Sequence, residues 1–141
     1  MDRLQWAHDR MAILQDFSDA GERFLRFFGF TEEYRLGGFS FFSVEGHLRN
    51  LRECEVGTHF RVYTDMISHD AIRLHIYQYM VNATTAACLA TGEHMMLHVD
   101  TVQRRACPMG PQMQAAAEAA MTSWAPRLKP LGLSGSIKPA S

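Results

Sequence analysis

The segment ILQDFSDAGERFLRFF, Ile13–Phe28, is closed by Gly29 and decides how the rest of the chain is read. Phe17, Ala20, Phe24 and Phe28 recur at three- and four-residue spacing, and Ile13, Gly21 and Leu25 widen the same stripe. That is the period of one apolar helical face. Asp16, Asp19, Glu22, Arg23 and Arg26 fall largely outside it. Gly29 stands where a left-handed residue stops a helix. Ala20 and Gly21 leave a notch in the face, wide enough for sheet backbone to come close. No other convincing long helix precedes residue 108, and nearly everything between reads as strand. One helix followed by a long antiparallel run predicts an α+β protein with a sheet wrapped around that helix.

The chain is 141 residues long, enough for one domain with a real core but not for two. Apolar residues make up 47% and charged residues 21%, as in an ordinary globular protein. A formal net charge of −1 gives no electrostatic ground for a nucleic-acid partner or an anionic membrane. No apolar run reaches the length of a membrane span, and no basic-then-apolar leader opens the chain. The three cysteines, Cys54, Cys88 and Cys107, are odd in number and widely spaced, unlike a disulfide framework or a metal knuckle. A reduced, cytoplasmic chain is expected, with one domain over 1–128 and a disordered tail over 129–141. Nine methionines and nine phenylalanines suggest a bulky, adaptable core with room for an apolar or amphipathic ligand.

Before the helix, MDRLQWAHDRMA shows only scattered apolar residues, and Asp9 reads as an N-cap for a helix beginning at Arg10. After it, Thr31–Gly38 is a polar connection ending in two glycines. Phe39–Cys54 has strand character, with Phe42, Val44, Gly46 and Leu48 on one face and Ser43, Glu45, His47 and Arg49 on the other. Gly46 marks a bulge or a close backbone approach. Thr58–Met66, Ala71–Asn82 and Thr84–Asp100 alternate likewise, which predicts an antiparallel meander. Gln112–Trp124 is alanine-rich and helical by propensity.

Three segments, FSDAGERFLRFFGF (Phe17–Phe30), VEGHLRNLRE (Val44–Glu53) and EHMMLHVD (Glu93–Asp100), followed by ACPM (Ala106–Met109), carry a resemblance. The chain resembles hot-dog-fold acyl-CoA thioesterases of the 4-hydroxybenzoyl-CoA-thioesterase-like branch, and among them the betainyl-CoA thioesterases associated with carnitine dehydrogenase. The resemblance implies hydrolysis of a short acyl-CoA, betainyl-CoA of L-carnitine breakdown in particular, by a homodimer or higher homo-oligomer that uses no cofactor. It also implies backbone N–H donors at the start of the central helix for the thioester oxygen and a carboxylate as base or nucleophile. The family's D-x-x-G-H-M-N loop has no counterpart here. His8-Asp9-Arg10-Met11 offers similar residue types in another order, so impaired activity is expected.

Asp9 and Asp16 are the carboxylates nearest the expected helix entrance, and each reads equally as a cap or a solvated residue. Glu45 and His47, two apart on a strand, project to one face as a carboxylate–imidazole pair or a polar interface. These four are the catalytic candidates. Phe17, with Arg104 and Arg105 as candidates for a CoA phosphate, would contact substrate. His94 and His98 share a strand face but lie roughly 13 Å apart at strand rise, too far for one zinc, so no metal site is expected. Two alternatives stay open: a catalytically silent hot-dog subunit that binds acyl-CoA or a partner, and a cone-shaped ketosteroid-isomerase-like fold with its pocket inside one chain.

Overall fold

The computed structural model describes residues 3–55 and 57–124, with side chains over 15–55 and 57–121. The expected tail, 129–141, lies outside the described residues. The order of elements is α1 (Arg3–Phe27), α2 (Glu32–Leu36), β1 (Phe39–Asn50), β2 (Phe60–His69), β3 (Arg73–Asn82), β4 (Cys88–Asp100), β5 (Arg105–Ala106) and α3 (Pro111–Trp124). Among the described residues no strand precedes α1.

Helix α1 forms on the predicted stripe: Phe17, Phe24, Leu25 and Phe28 are all buried. Its end follows from Gly29, whose φ is +93°. The Gly29 N–H donates to Arg26 O at 3.1 Å and the Phe30 N–H to Leu25 O at 3.2 Å. Those are the two bonds of a Schellman stop, and Phe30 joins Leu25 in the core as that motif requires. The beginning corrects the expectation. The helix starts at Arg3, so Asp9 lies in its interior rather than at an N-cap. RLQWAHDRMA contains neither glycine nor proline, so nothing interrupts helical propensity before Ile13. The connection read as polar loop contains α2, capped by Thr31, whose Oγ1 accepts from the Tyr34 N–H at 3.3 Å.

The sheet is antiparallel, in the order β1-β4-β3-β2, with β5 also pairing β4. Only β2, β3 and β4 form the expected meander. A tight hairpin would have kept β1 beside β2, but a longer connection, 51–59, separates them in sequence and they lie at opposite ends of the sheet. Leu51 and Arg52 anchor that connection through their N–H groups on Leu89 O. A second correction concerns β1 itself. Its register shifts between Ser43 and Glu45, and an extra residue at that point reverses which side chains face the core. Phe41 is buried, while Phe42 and Val44 are 54% and 56% exposed.

Side chains from α1, β2, β3 and α3 form the main core cluster, including Phe24, Phe28, Met66, Leu74, Ile76 and Met113. A second cluster gathers Phe17, Met80, Leu89 and Ala90. Helix α3 packs on β2, and His69 Nε2 meets Glu118 Oε2 at 2.7 Å to tie the two together. The β2–β3 turn is held by Asp70, whose Oδ1 accepts from the N–H groups of Ile72 and Arg73 at 2.9 and 2.7 Å. Burial alone would raise the Asp70 carboxyl pKa; the Arg73 side chain and those two N–H groups outweigh it and hold it below the ordinary range.

Candidate functional site

The notch in α1, expected to admit sheet backbone, instead borders a cavity at Gly21. Between α1, β1 and the inward face of β3 and β4 lies a space of about 330 Å³. Helix α1 contributes Phe17, Gly21, Glu22 and Leu25 to its wall. At Gly21 a side chain is missing, and a Cβ there would lie 3.7 Å from Gln78 Nε2. The Gln78 amide donates to Phe17 O at 2.9 Å and to Thr64 Oγ1 at 3.1 Å, so this buried side chain locks β2, β3 and the helix together at the notch. Phe30 and Phe41 add aromatic walls, and Ser43 adds a hydroxyl from β1. Glu22 and Arg35, both exposed, complete the lining. The Arg35 guanidinium lies 5.4 Å from the Phe30 ring centroid, a cation resting over an aromatic face.

The back wall belongs to β4, whose inward residues are Gly92, His94 and Met96. The His94 ring sits in space left by two glycines. A Cβ at Gly46 would come within 2.9 Å of its Nδ1, and one at Gly92 within 3.1 Å of its Nε2. Burial pushes the imidazole below its ordinary pKa, and the neighbouring Glu93 charge offsets this only in part. His94 therefore faces the cavity as a neutral ring at pH 7, able to accept a proton.

The opposite face of the sheet carries a separate polar network. His75 Nε2 and Glu93 Oε1 are 2.9 Å apart, with both side chains almost fully buried. Tyr77 and Thr91 lie buried beside them, and burial raises the Tyr77 hydroxyl pKa. Glu45 and His47 stand on this face at the sheet edge, paired at 3.5 Å and half exposed; His47 is in register with Glu93. A third cluster lies near α2. His98 Nδ1 donates to Cys107 O at 2.8 Å, which leaves Nε2 to accept from the Tyr34 hydroxyl. Burial and Asp100 push the Cys107 thiol pKa up, so it stays protonated beside that ring.

The structure thus distributes the residues singled out from sequence. Phe17 lines the cavity. Asp16 lines a different groove, between α1 and β2, where burial and then Asp19 raise its carboxyl pKa. Glu45 and His47 come together as foreseen, but across the sheet from the cavity. Arg104 and Arg105 are both exposed, Arg104 in the turn after β4 at φ +56° and Arg105 at the start of β5. Asp9 has its backbone in α1, and its side chain lies outside the described residues. The expected free N–H groups near Asp9, Asp16 and Phe17 are inside a continuous helix, where its own ladder engages them. Sequence reasoning missed Gln78, Glu22 and His94. The two glycines in the strands beside His94 were the available signal. Among the described residues no group of His, Cys, Asp and Glu is placed to hold a metal ion, and no helix is long and apolar enough to cross a membrane.

Comparison with known proteins adds the following. The family model described as the thioesterase-like superfamily matches residues 7–117. The L-carnitine dehydrogenase/betainyl-CoA thioesterase of Agrobacterium fabrum is 37% identical over 103 residues, covering 73% of this chain and 21% of that protein. The betainyl-CoA thioesterase of Pseudomonas aeruginosa is 33% identical over 104 residues, covering 73% of this chain and 65% of its own length. The chain therefore spans only 21% of the length of the two-function relative and less than two thirds of the other. Among solved structures, a Staphylococcus aureus protein in complex with CoA superposes with a TM-score of 0.75 at 20% identity, over 92% of this chain and 81% of that one. A 1,4-dihydroxy-2-naphthoyl-CoA thioesterase from Synechocystis gives 0.66 at 18%, over 75% and 79%. These two likenesses establish the hot-dog arrangement, an antiparallel sheet around α1 with α3 as the C-terminal helix.

Proposed function

Because this chain belongs to the thioesterase-like superfamily, we propose that it hydrolyses a short acyl-CoA, and that betainyl-CoA of L-carnitine breakdown is its substrate. The observation that carries the reading is the cavity beside Gly21. Its volume of about 330 Å³ suits a compact acyl group. Aromatic faces from Phe17, Phe30 and Phe41 and the Glu22 carboxylate suit a quaternary ammonium. The Arg35 guanidinium over Phe30 occupies such a position within the chain itself. Phe17 contacts the acyl group in this reading.

Three further features belong to the same proposal. The protein works as a homodimer paired along the open edge of β1, where Phe42 and Val44 are exposed, with Leu51 exposed just beyond it. Glu45 and His47, on that edge strand, then meet the second copy. The protein acts in the cytoplasm, whose reducing conditions suit the free cysteines Cys54, Cys88 and Cys107. Arg104, in the turn after β4, and Arg105, at the start of β5, are available to the CoA phosphates.

The test is purified protein against a panel of acyl-CoA esters, with thiol release followed by a chromogenic reagent. Betainyl-CoA should turn over faster than acetyl-CoA or a neutral ester of the same size. A preference for neutral esters would overturn the betainyl assignment. Tight acyl-CoA binding without thiol release would overturn hydrolysis and favour a silent binding subunit.

A further inference from the structure

We propose that His94 is the general base of the hydrolysis, taking the proton from the water that attacks the thioester carbonyl. The inference rests on the thioesterase reading above, and it assigns a role that the sequence had given to carboxylates. His94 lines the cavity, and its ring is accommodated by the absence of side chains at Gly46 and Gly92. Among the described residues neither ring nitrogen is held by a hydrogen bond, unlike those of His98, both of which are engaged. A half-buried imidazole at a cavity wall, with no hydrogen bond to a described residue, is placed to bond a water or a substrate atom.

The other candidates lack that placement. Glu45 and His47 lie across the sheet, Asp16 lines the other groove, and Glu93 turns away from the cavity to His75. The charged groups around His94 are few. Glu22 from α1 and Arg35 from α2 line the same cavity, Glu93 is its neighbour on β4, and the β1 and β3 residues facing it, Ser43, Gly46 and Gln78, are uncharged. The step balances with water alone. A lone pair on the imidazole takes one water proton while the oxygen bonds to the carbonyl carbon. The C–S bond then breaks, and the imidazolium returns that proton to the departing CoA sulfur. The products are the free thiol and the carboxylic acid, which loses its proton to solvent.

The experiment compares wild type, His94→Gln and His94→Ala for thiol release across pH, with circular dichroism as a check on folding. Wild-type kcat/KM should fall on the acid side with a midpoint below 6.5, the direction in which burial moves this imidazole. Each variant should lose about 10²–10⁴-fold in kcat/KM together with that acid limb. Added imidazole should restore part of the His94→Ala rate in proportion to its neutral fraction. A purely structural histidine would show neither the lost limb nor the rescue. A folded His94→Gln protein that keeps both rate and pH profile overturns the assignment and leaves the thioesterase reading standing. A wild type that releases no thiol from any ester overturns both.

Discussion

At the scale of single residues, the site depends on what is absent as much as on what is present. Gly46 lies in a strand, where glycine ordinarily costs about 0.5–1 kcal/mol relative to alanine. Here it leaves room for the His94 ring, since a Cβ would approach Nδ1 to 2.9 Å. Gly46→Ala should therefore move the imidazole by a fraction of an ångström. A displacement of about 1 Å can cost two orders of magnitude in rate, so a loss of about 10–100-fold in kcat/KM is expected. The melting temperature should change little, because better strand propensity offsets the crowding. Full activity in Gly46→Ala would show that the ring's seat has no bearing on turnover. The same reasoning explains Gly92, where a Cβ would meet both His94 Nε2 and the Phe17 ring, the latter at 3.3 Å.

At the scale of elements, α1 is the member on which the sheet closes. Its apolar stripe packs at one end against Met80 and Leu89 through Phe17, and at the other against α3 and β3 through Phe24, Leu25 and Phe28. Phe24 is 4% exposed, and its ring packs edge-on against Phe28 with centroids 4.8 Å apart. Phe24→Ala should destabilise the fold by about 3–5 kcal/mol, the usual cost of emptying a buried aromatic site. Chemical denaturation measures this directly. A loss below about 1 kcal/mol would mean that the helix is not the centre of the core. The bulge in β1 shows the complementary point: one extra residue turns Phe42 and Val44 outward while Gly46 is kept against His94.

At the scale of the whole molecule, the sheet ends in two strands, β1 and β2, whose outer edges are unpaired among the described residues. Such edges invite pairing with another chain. The β1 edge carries Phe42 and Val44 in the open, with Leu51 exposed just beyond it, which is why we expect a homodimer there. Light scattering at micromolar concentration should give twice the chain mass of 16.0 kDa. Val44→Lys, a change at an exposed position that leaves the core intact, should shift the population toward the single chain. A wild type that weighs 16.0 kDa in solution would overturn the dimer.

The sequence by itself determined what is local. The spacing of Phe17, Phe24 and Phe28 defined the buried helix face, Gly29 its stop, and alternation the four long strands, because those periods follow from backbone geometry within a few residues. From these, with the resemblance of three segments, the hot-dog arrangement was legible. The N-terminal extent of α1 was not, since Asp9 reads locally as a cap although the helix runs straight through it. Tertiary structure alone decided that β1 pairs with β4, that a bulge reverses its faces, and that His94 points at the helix while Glu93 turns away to His75. Of the residues singled out for the site, the fold brings only Phe17 to the cavity wall. Which of two strand faces meets the helix depends on partners far along the chain, and alternation reads the same whichever face is chosen.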